Sequence, residues 1–336
     1  MRLVIVGNPG EEHVGAHLLI GAQDLGLEAK LVDSRLASVD SVWRRRLAWH
    51  VFGHRPPALK SFNRHLLDTC SAFRPDVVIT TGIAPVTAVL LSALKKNGAV
   101  LINYQTDDPW NPSNRARHFW PALLKYDWVF SPRHASIPDL KAFGCRRVEY
   151  LPFAYNPRVH YIEAPPSDEI ASRYQCDVAI IGGADRDRYP LAEAVVDAGL
   201  QLKLYGGYWD RKHKLLPFAQ GFVLGRELRW ASYCASAHLC MGRKANRDGH
   251  AMRSYELPAM GAVLLVENTE DHRKLFGPGG EAVLYYGSTE EMVSKAQLLV
   301  SYGDEKRRAM AERARARVTE GANTYTDRLR VMIESA

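Results

Sequence analysis

Short apolar, β-branched runs alternate along this chain with stretches whose apolar residues recur every three or four positions. Residues 3–6 (Leu-Val-Ile-Val) end in Gly7, and a helical period follows over 14–25. Further strands are predicted at 29–32, 75–80, 99–104 and 128–131, with a helix at 86–96. The rhythm pauses in the proline-rich stretches 151–157 and 164–167, which read as a linker. It restarts with strands at 176–181, 202–205, 222–224, 237–241, 262–266 and 282–285, then helices at 289–300, 305–318 and 324–333. Strands alternating with helices predict an α/β fold built on parallel sheets with helices on both faces. The expected organisation is two doubly wound domains facing each other across a cleft, 1–160 and 161–318, with 319–336 packing back across the hinge. Ligands of such sheets bind at the carboxyl ends of the strands.

Composition narrows the function classes. The 336 residues suffice for two cores. No apolar run approaches the roughly 20 residues that span a bilayer. Pro9, Glu11 and Glu12 break the amino-terminal apolar stretch, which does not read as a signal peptide. The cysteines (Cys70, Cys145, Cys176, Cys234, Cys240) are odd in number and never form Cys-x-x-Cys, which suits reduced thiols in the cytoplasm. A net charge of +7 permits an anionic partner without identifying one. Within 42–65, Arg44, Arg45, Arg46, Arg55, Lys60 and Arg64 interleave with Trp43, Trp49, Phe52 and Phe62, and no acid occurs. That pattern suits peripheral docking on an anionic membrane surface, and equally a solvated helix. Nucleic acid is not the expected partner.

The densest candidate chemistry is Asp248-Gly-His-Ala-Met-Arg-Ser-Tyr-Glu256. Two acids frame Arg253; an arginine neutralises phosphate, and a carboxylate accepts hydrogen bonds from ribose or sugar hydroxyls. Leu257-Pro258 then reads as the opening of a helix, with Arg253 and Glu256 near its amino end. Gly182 and Gly183 follow a strand and precede a helical pattern near Pro190, where backbone N–H groups reach a phosphate closely. Arg186 and Arg188 lie in that loop, and Arg243 and Lys244 follow the 237–241 strand; all are candidate diphosphate contacts or plain surface charges. In the first half, His13 is a candidate general base for an acceptor hydroxyl. Asp107 and Asp108 follow a strand, where they position an acceptor or only brace a turn. His13 and His17 have helical metal spacing but no evident third ligand, so no metal is expected.

Several segments resemble the CgeB-like (spore-maturation-protein type) branch of the group 1 glycosyltransferases. They are Asp177-Val-Ala-Ile-Ile-Gly-Gly183, Leu204-Tyr-Gly-Gly-Tyr-Trp209, Arg253-Ser-Tyr-Glu-Leu-Pro-Ala-Met-Gly261 and Asn323-Thr-Tyr-Thr-Asp-Arg328. Thr106-Asp-Asp-Pro-Trp110 and Val148-Glu-Tyr-Leu-Pro-Phe-Ala154 match in the first half. The resemblance implies a GT-B fold of two Rossmann-like domains and a hexosyltransferase-like activity (EC 2.4). It implies no required metal or other cofactor, with a nucleoside-diphosphate sugar of UDP or GDP type as co-substrate. A glycan, lipid-linked or protein hydroxyl would be the acceptor. It assigns Glu256 to the ribose, Asp248 to the donor sugar, and Phe222, Val223 and Leu224 to the nucleobase. The family pair is Glu-x7-Glu, so the shorter Asp248 leaves the sugar contact and the anomeric outcome open.

Two rivals remain. One is a non-catalytic nucleotide-sugar-binding protein with a degenerate transferase fold. The other is a dinucleotide-dependent oxidoreductase, suggested by Gly7, Gly10, Gly15 and Asp33. Their spacing is not Gly-x-Gly-x-x-Gly, and Glu11 and Glu12 would oppose a pyrophosphate.

Overall fold

The computed structural model describes residues 1–39, 43, 51, 53–242, 244–247 and 249–336. They form two units: Met1–Pro152 with Ala245–Asp248 and Tyr325–Ala336, and Phe153–Lys244 with Gly249–Thr324.

The first unit carries β1 (Arg2–Gly7), β2 (Glu28–Asp33), β3 (Val77–Thr81), β4 (Val100–Tyr104), β5 (Trp128–Ser131) and β6 (Val148–Tyr150). They form one parallel sheet in the order β2-β1-β3-β4-β5-β6. Leu3, Val4, Ile5 and Val6 of β1 are all fully buried, as a strand covered on both faces requires. Each such side chain contributes about 2 kcal/mol of transfer free energy. The connecting helices are α1 (Val14–Asp24), α2 (Leu59–Phe73), α3 (Ala88–Lys96), α4 (Phe119–Leu123) and α5 (Ser136–Phe143).

The second unit repeats the plan. Its strands are β7 (Cys176–Ile181), β8 (Leu202–Tyr205), β9 (Ala219–Gly221), β10 (Ala235–Cys240), β11 (Leu264–Glu267) and β12 (Leu284–Tyr286). They are parallel in the order β12-β11-β10-β7-β8-β9. Its helices are α6 (Asp168–Tyr174), α7 (Tyr189–Asp197), α8 (Gly225–Cys234), α9 (Arg253–Ala259), α10 (Glu270–Phe276), α11 (Thr289–Ser301) and α12 (Asp304–Thr319). The chain leaves β7 towards β8 and leaves β10 towards β11, so the winding reverses between the central neighbours β7 and β10. Such a switch point opens a crevice at the carboxyl edge.

The last helix, α13 (Tyr325–Glu334), belongs to the first unit and lies along α1. Tyr325 stacks on His17 with ring centroids 4.8 Å apart, and Arg328 Nε donates to the Pro152 carbonyl at 2.9 Å.

Two local expectations change. The strand expected at 222–224 lies at Ala219–Gly221 instead. Gly221 turns with a φ of 77°, and Phe222 is 71% exposed, so its apolar character reflects no core position. The helix expected to open at Pro258 begins at Arg253 and contains that proline near its end. In so short a helix, proline forfeits a single backbone bond.

Gly206 has a φ of 121°, and a Cβ there would meet the Gly182 carbonyl carbon at 2.7 Å. Gly206→Ala should therefore cost about 2–4 kcal/mol in urea denaturation. Gly199→Ala, also at positive φ but facing open space, should cost about 1 kcal/mol. A loss at 206 no larger than at 199 would contradict this packing.

Candidate functional site

At the carboxyl end of β7 the backbone is almost fully tied down. The Gly182 N–H donates to the Tyr205 carbonyl at 2.8 Å and the Ala184 N–H to the Gly207 carbonyl at 2.9 Å. Trp209 Nε1 donates to the Gly182 carbonyl at 2.9 Å, and Arg188 Nη1 to the Gly183 carbonyl at 2.6 Å. Asp185 Oδ1 accepts from the Asp187 and Arg188 amides, both at 3.0 Å, and so holds the turn that leads into α7. Among the described residues of this turn, neither the Gly183 nor the Arg186 N–H has a protein acceptor. The turn thus keeps only part of its amide set for an anion. Arg188 braces the loop, whereas Arg186 is exposed and pairs with no acid among the described residues.

Beyond β10, the head of α9 is built around a buried acid. Glu256 is fully buried, and its Oε2 accepts from Arg253 Nη1 at 2.5 Å. His160 Nδ1 accepts the Asn156 N–H at 3.0 Å, so the neutral ring turns a protonated Nε2 towards Glu256 Oε1, 3.9 Å away. A second histidine fixes the turn before the helix. His272 Nδ1 lies 2.7 Å from the Glu267 carbonyl and must donate to it. Nε2 then accepts from the Ser254 hydroxyl at 2.8 Å, while Ser254 Oγ accepts the Ala251 N–H at 3.1 Å. Burial depresses the His272 pKa to about 4, keeping the ring neutral in this relay.

A cleft of about 320 Å³ lies at the same edge, lined among others by Arg186, Arg188, Lys244, Glu267 and Tyr286. Glu267 Oε2 accepts the Gly242 N–H at 3.1 Å. Near β8, Phe222 lies against Gly207, where a Cβ would meet its ring at 3.1 Å. Val223 is buried and Leu224 exposed, so Phe222 and Leu224 present an apolar shelf.

In the first unit, His13 stands at the amino end of α1, half-exposed, with Nε2 3.3 Å from Glu12. Asp107 is partly exposed, its Oδ2 accepting from Thr106 Oγ1 at 3.2 Å. Asp108 is buried and ion-paired with Arg247 Nε at 2.5 Å, while Oδ1 accepts the Trp110 N–H. Its carboxylate serves the turn, which leaves Asp107 as the acid accessible to a ligand. Asp33 is engaged by Arg35 through both carboxylate oxygens. That pair occupies the acid a dinucleotide's ribose would read.

Arg243 and Asp248 lie outside the described residues, as does most of 40–52. Within 42–65, Trp43 is exposed, whereas Phe62 is buried in the core beneath α2. The grouping missed in sequence is His160, Ser254, Glu267, His272 and Tyr286. Only spatial contact between a loop, two helices and two strand ends reveals these residues.

Residues 188–334 match the family model described as Glycosyl transferase-like. None of the curated proteins is similar enough to count as a relative. Among solved structures, Anabaena Alr3699/HepE in complex with UDP and glucose superposes with a TM-score of 0.67 at 12% identity, covering 100% of this chain and 99% of that one. Sucrose-phosphate synthase from Thermosynechococcus elongatus gives 0.68 at 10%, covering 100% and 98%. A candidate UDP-N-acetylglucosamine 2-epimerase from Listeria monocytogenes gives 0.61 at 14%, covering 100% and 96%. At these identities the likeness establishes the fold, the GT-B type with two Rossmann-like domains.

His272, and likewise His238 with a pKa also lowered to about 4 by burial, bind fewer protons folded than unfolded between pH 6.5 and 4. Stability should therefore fall as pH drops through that window. Thermal melts across it should show the decline, and His272→Gln should make the slope shallower. An unchanged slope would contradict a neutral buried ring.

Proposed function

We propose that the chain is a glycosyltransferase of the CgeB-like branch, moving a sugar from a nucleoside-diphosphate sugar to a hydroxyl without a metal. One observation carries the reading. The Arg253–Glu256 pair lies at the carboxyl edge of the second sheet, inside the stretch that matches the glycosyl transferase-like model. UDP is the nucleotide favoured, because HepE, similar over its full length, holds it.

In this reading Arg253, Arg186, Lys244 and the Gly183 amide stabilise the leaving diphosphate as its charge develops. Glu256 accepts ribose hydroxyls when the donor draws Arg253 towards phosphate. Phe222 and Leu224 carry the base, and Asp248 faces the sugar. Asp107 or His13 takes the acceptor proton. Lipid-linked acceptors fit the basic, aromatic 42–65 segment, and flotation with anionic liposomes should then exceed that with neutral ones; equal flotation would remove the membrane partner. A binding protein without turnover is the second reading, since the epimerase candidate shows one fold serving a different chemistry.

Thermal-shift screening should show stabilisation by UDP or a UDP-sugar ahead of GDP counterparts. Arg253→Ala and Glu256→Ala should each weaken that binding by about tenfold or more, the scale of a charge-assisted hydrogen bond. Unchanged affinity in both variants would overturn the site.

A further inference from the structure

We propose that Glu267 and Tyr286 form a hydroxyl-reading pair that seats the sugar portion of the donor in the cleft at the carboxyl ends of β10, β11 and β12. The inference rests on the donor reading above and adds the residues that recognise the sugar itself.

Tyr286 lines the cleft and is 4% exposed, yet its phenolic oxygen is buried and finds no hydrogen-bond partner among the described residues. An unsatisfied buried hydroxyl destabilises a fold and calls for an absent partner. Burial and the neighbouring Glu267 charge raise its pKa, so it stays a proton donor.

Glu267, on the adjacent strand, complements it. The Gly242 N–H pins Oε2, while Oε1 has no protein donor among the described residues. One fixed donor and one fixed acceptor on neighbouring strands match a sugar diol, whose hydroxyls both give and accept. Pro190, Leu191 and Met241 supply an apolar wall for ring C–H groups. The cleft of about 320 Å³ lies at the small end of ligand sites and accommodates a single ring. Exposed Arg186 and Lys244 line the same cleft and suit the phosphate end.

Calorimetric titration of the wild type, Glu267→Gln and Tyr286→Phe with UDP and UDP-glucose tests the pair, with GDP and GDP-mannose in parallel. Each variant should bind the free diphosphate as the wild type does and the sugar conjugate about tenfold more weakly. Ligand-free Tyr286→Phe should melt no lower than the wild type, because it loses only an unsatisfied group. Unchanged conjugate affinity in both variants overturns the inference. So does equal weakening of both ligands, or a lower melting point for Tyr286→Phe. Arg253→Ala separates the two readings. If it retains full diphosphate binding, the donor site falls, whereas a selective effect at 267 and 286 still stands on its own ratio. A wild type that binds none of the four ligands overturns both.

Discussion

The buried carboxylate of Glu256 is the constraint around which the candidate site is organised. Removing an ion from water costs several kcal/mol, and breaking a buried pair strands the remaining charge. Arg253 supplies the compensating charge from the preceding turn of the same helix, and a neutral His160 turns its N–H towards the other oxygen. The acid and arginine are therefore held at one place on the edge of the sheet before any ligand arrives. The His272–Ser254 relay holds the approach to α9 in the same way, using a ring that burial keeps uncharged.

That order divides the cations of the second unit into two kinds. Arg188 and Arg253 are committed to a carbonyl and a carboxylate, so each positions the surrounding backbone as well as carrying charge. Arg186 and Lys244 are exposed and form no ion pair among the described residues. In the proposed donor site a diphosphate would meet both kinds: fixed charges that set register and free ones that attract. The Gly182–Gly183 turn contributes mainly close approach, since neighbouring carbonyls already consume two of its amides.

Legibility in the sequence followed the physics of each element. Strands buried on both faces announced themselves as apolar runs, and β5 and β7 lie at the residues their composition indicated. Amphipathic helices such as α2 were harder to read. Its inward Leu59, Phe62, Leu66, Cys70 and Phe73 share the segment with Lys60, Arg64 and Asp68, and the charges obscured the period. At the site, Arg253 and Glu256 were readable because they lie three residues apart. Glu267 and Tyr286 were not, because parallel strands bring together residues that the sequence keeps apart, and His272 was not, because its partner Ser254 lies on another helix. Asp108 stayed open between two roles for a related reason: its partner Arg247 lies far along the chain, so its structural engagement left no local trace.

Hydrogen–deuterium exchange with and without a UDP-sugar would test most directly whether the second unit's carboxyl edge grips the nucleotide. The account predicts slowed exchange in peptides spanning 182–188 and 249–256, with the Gly183 amide among those protected. Protection absent from both peptides and confined to the first unit would contradict it.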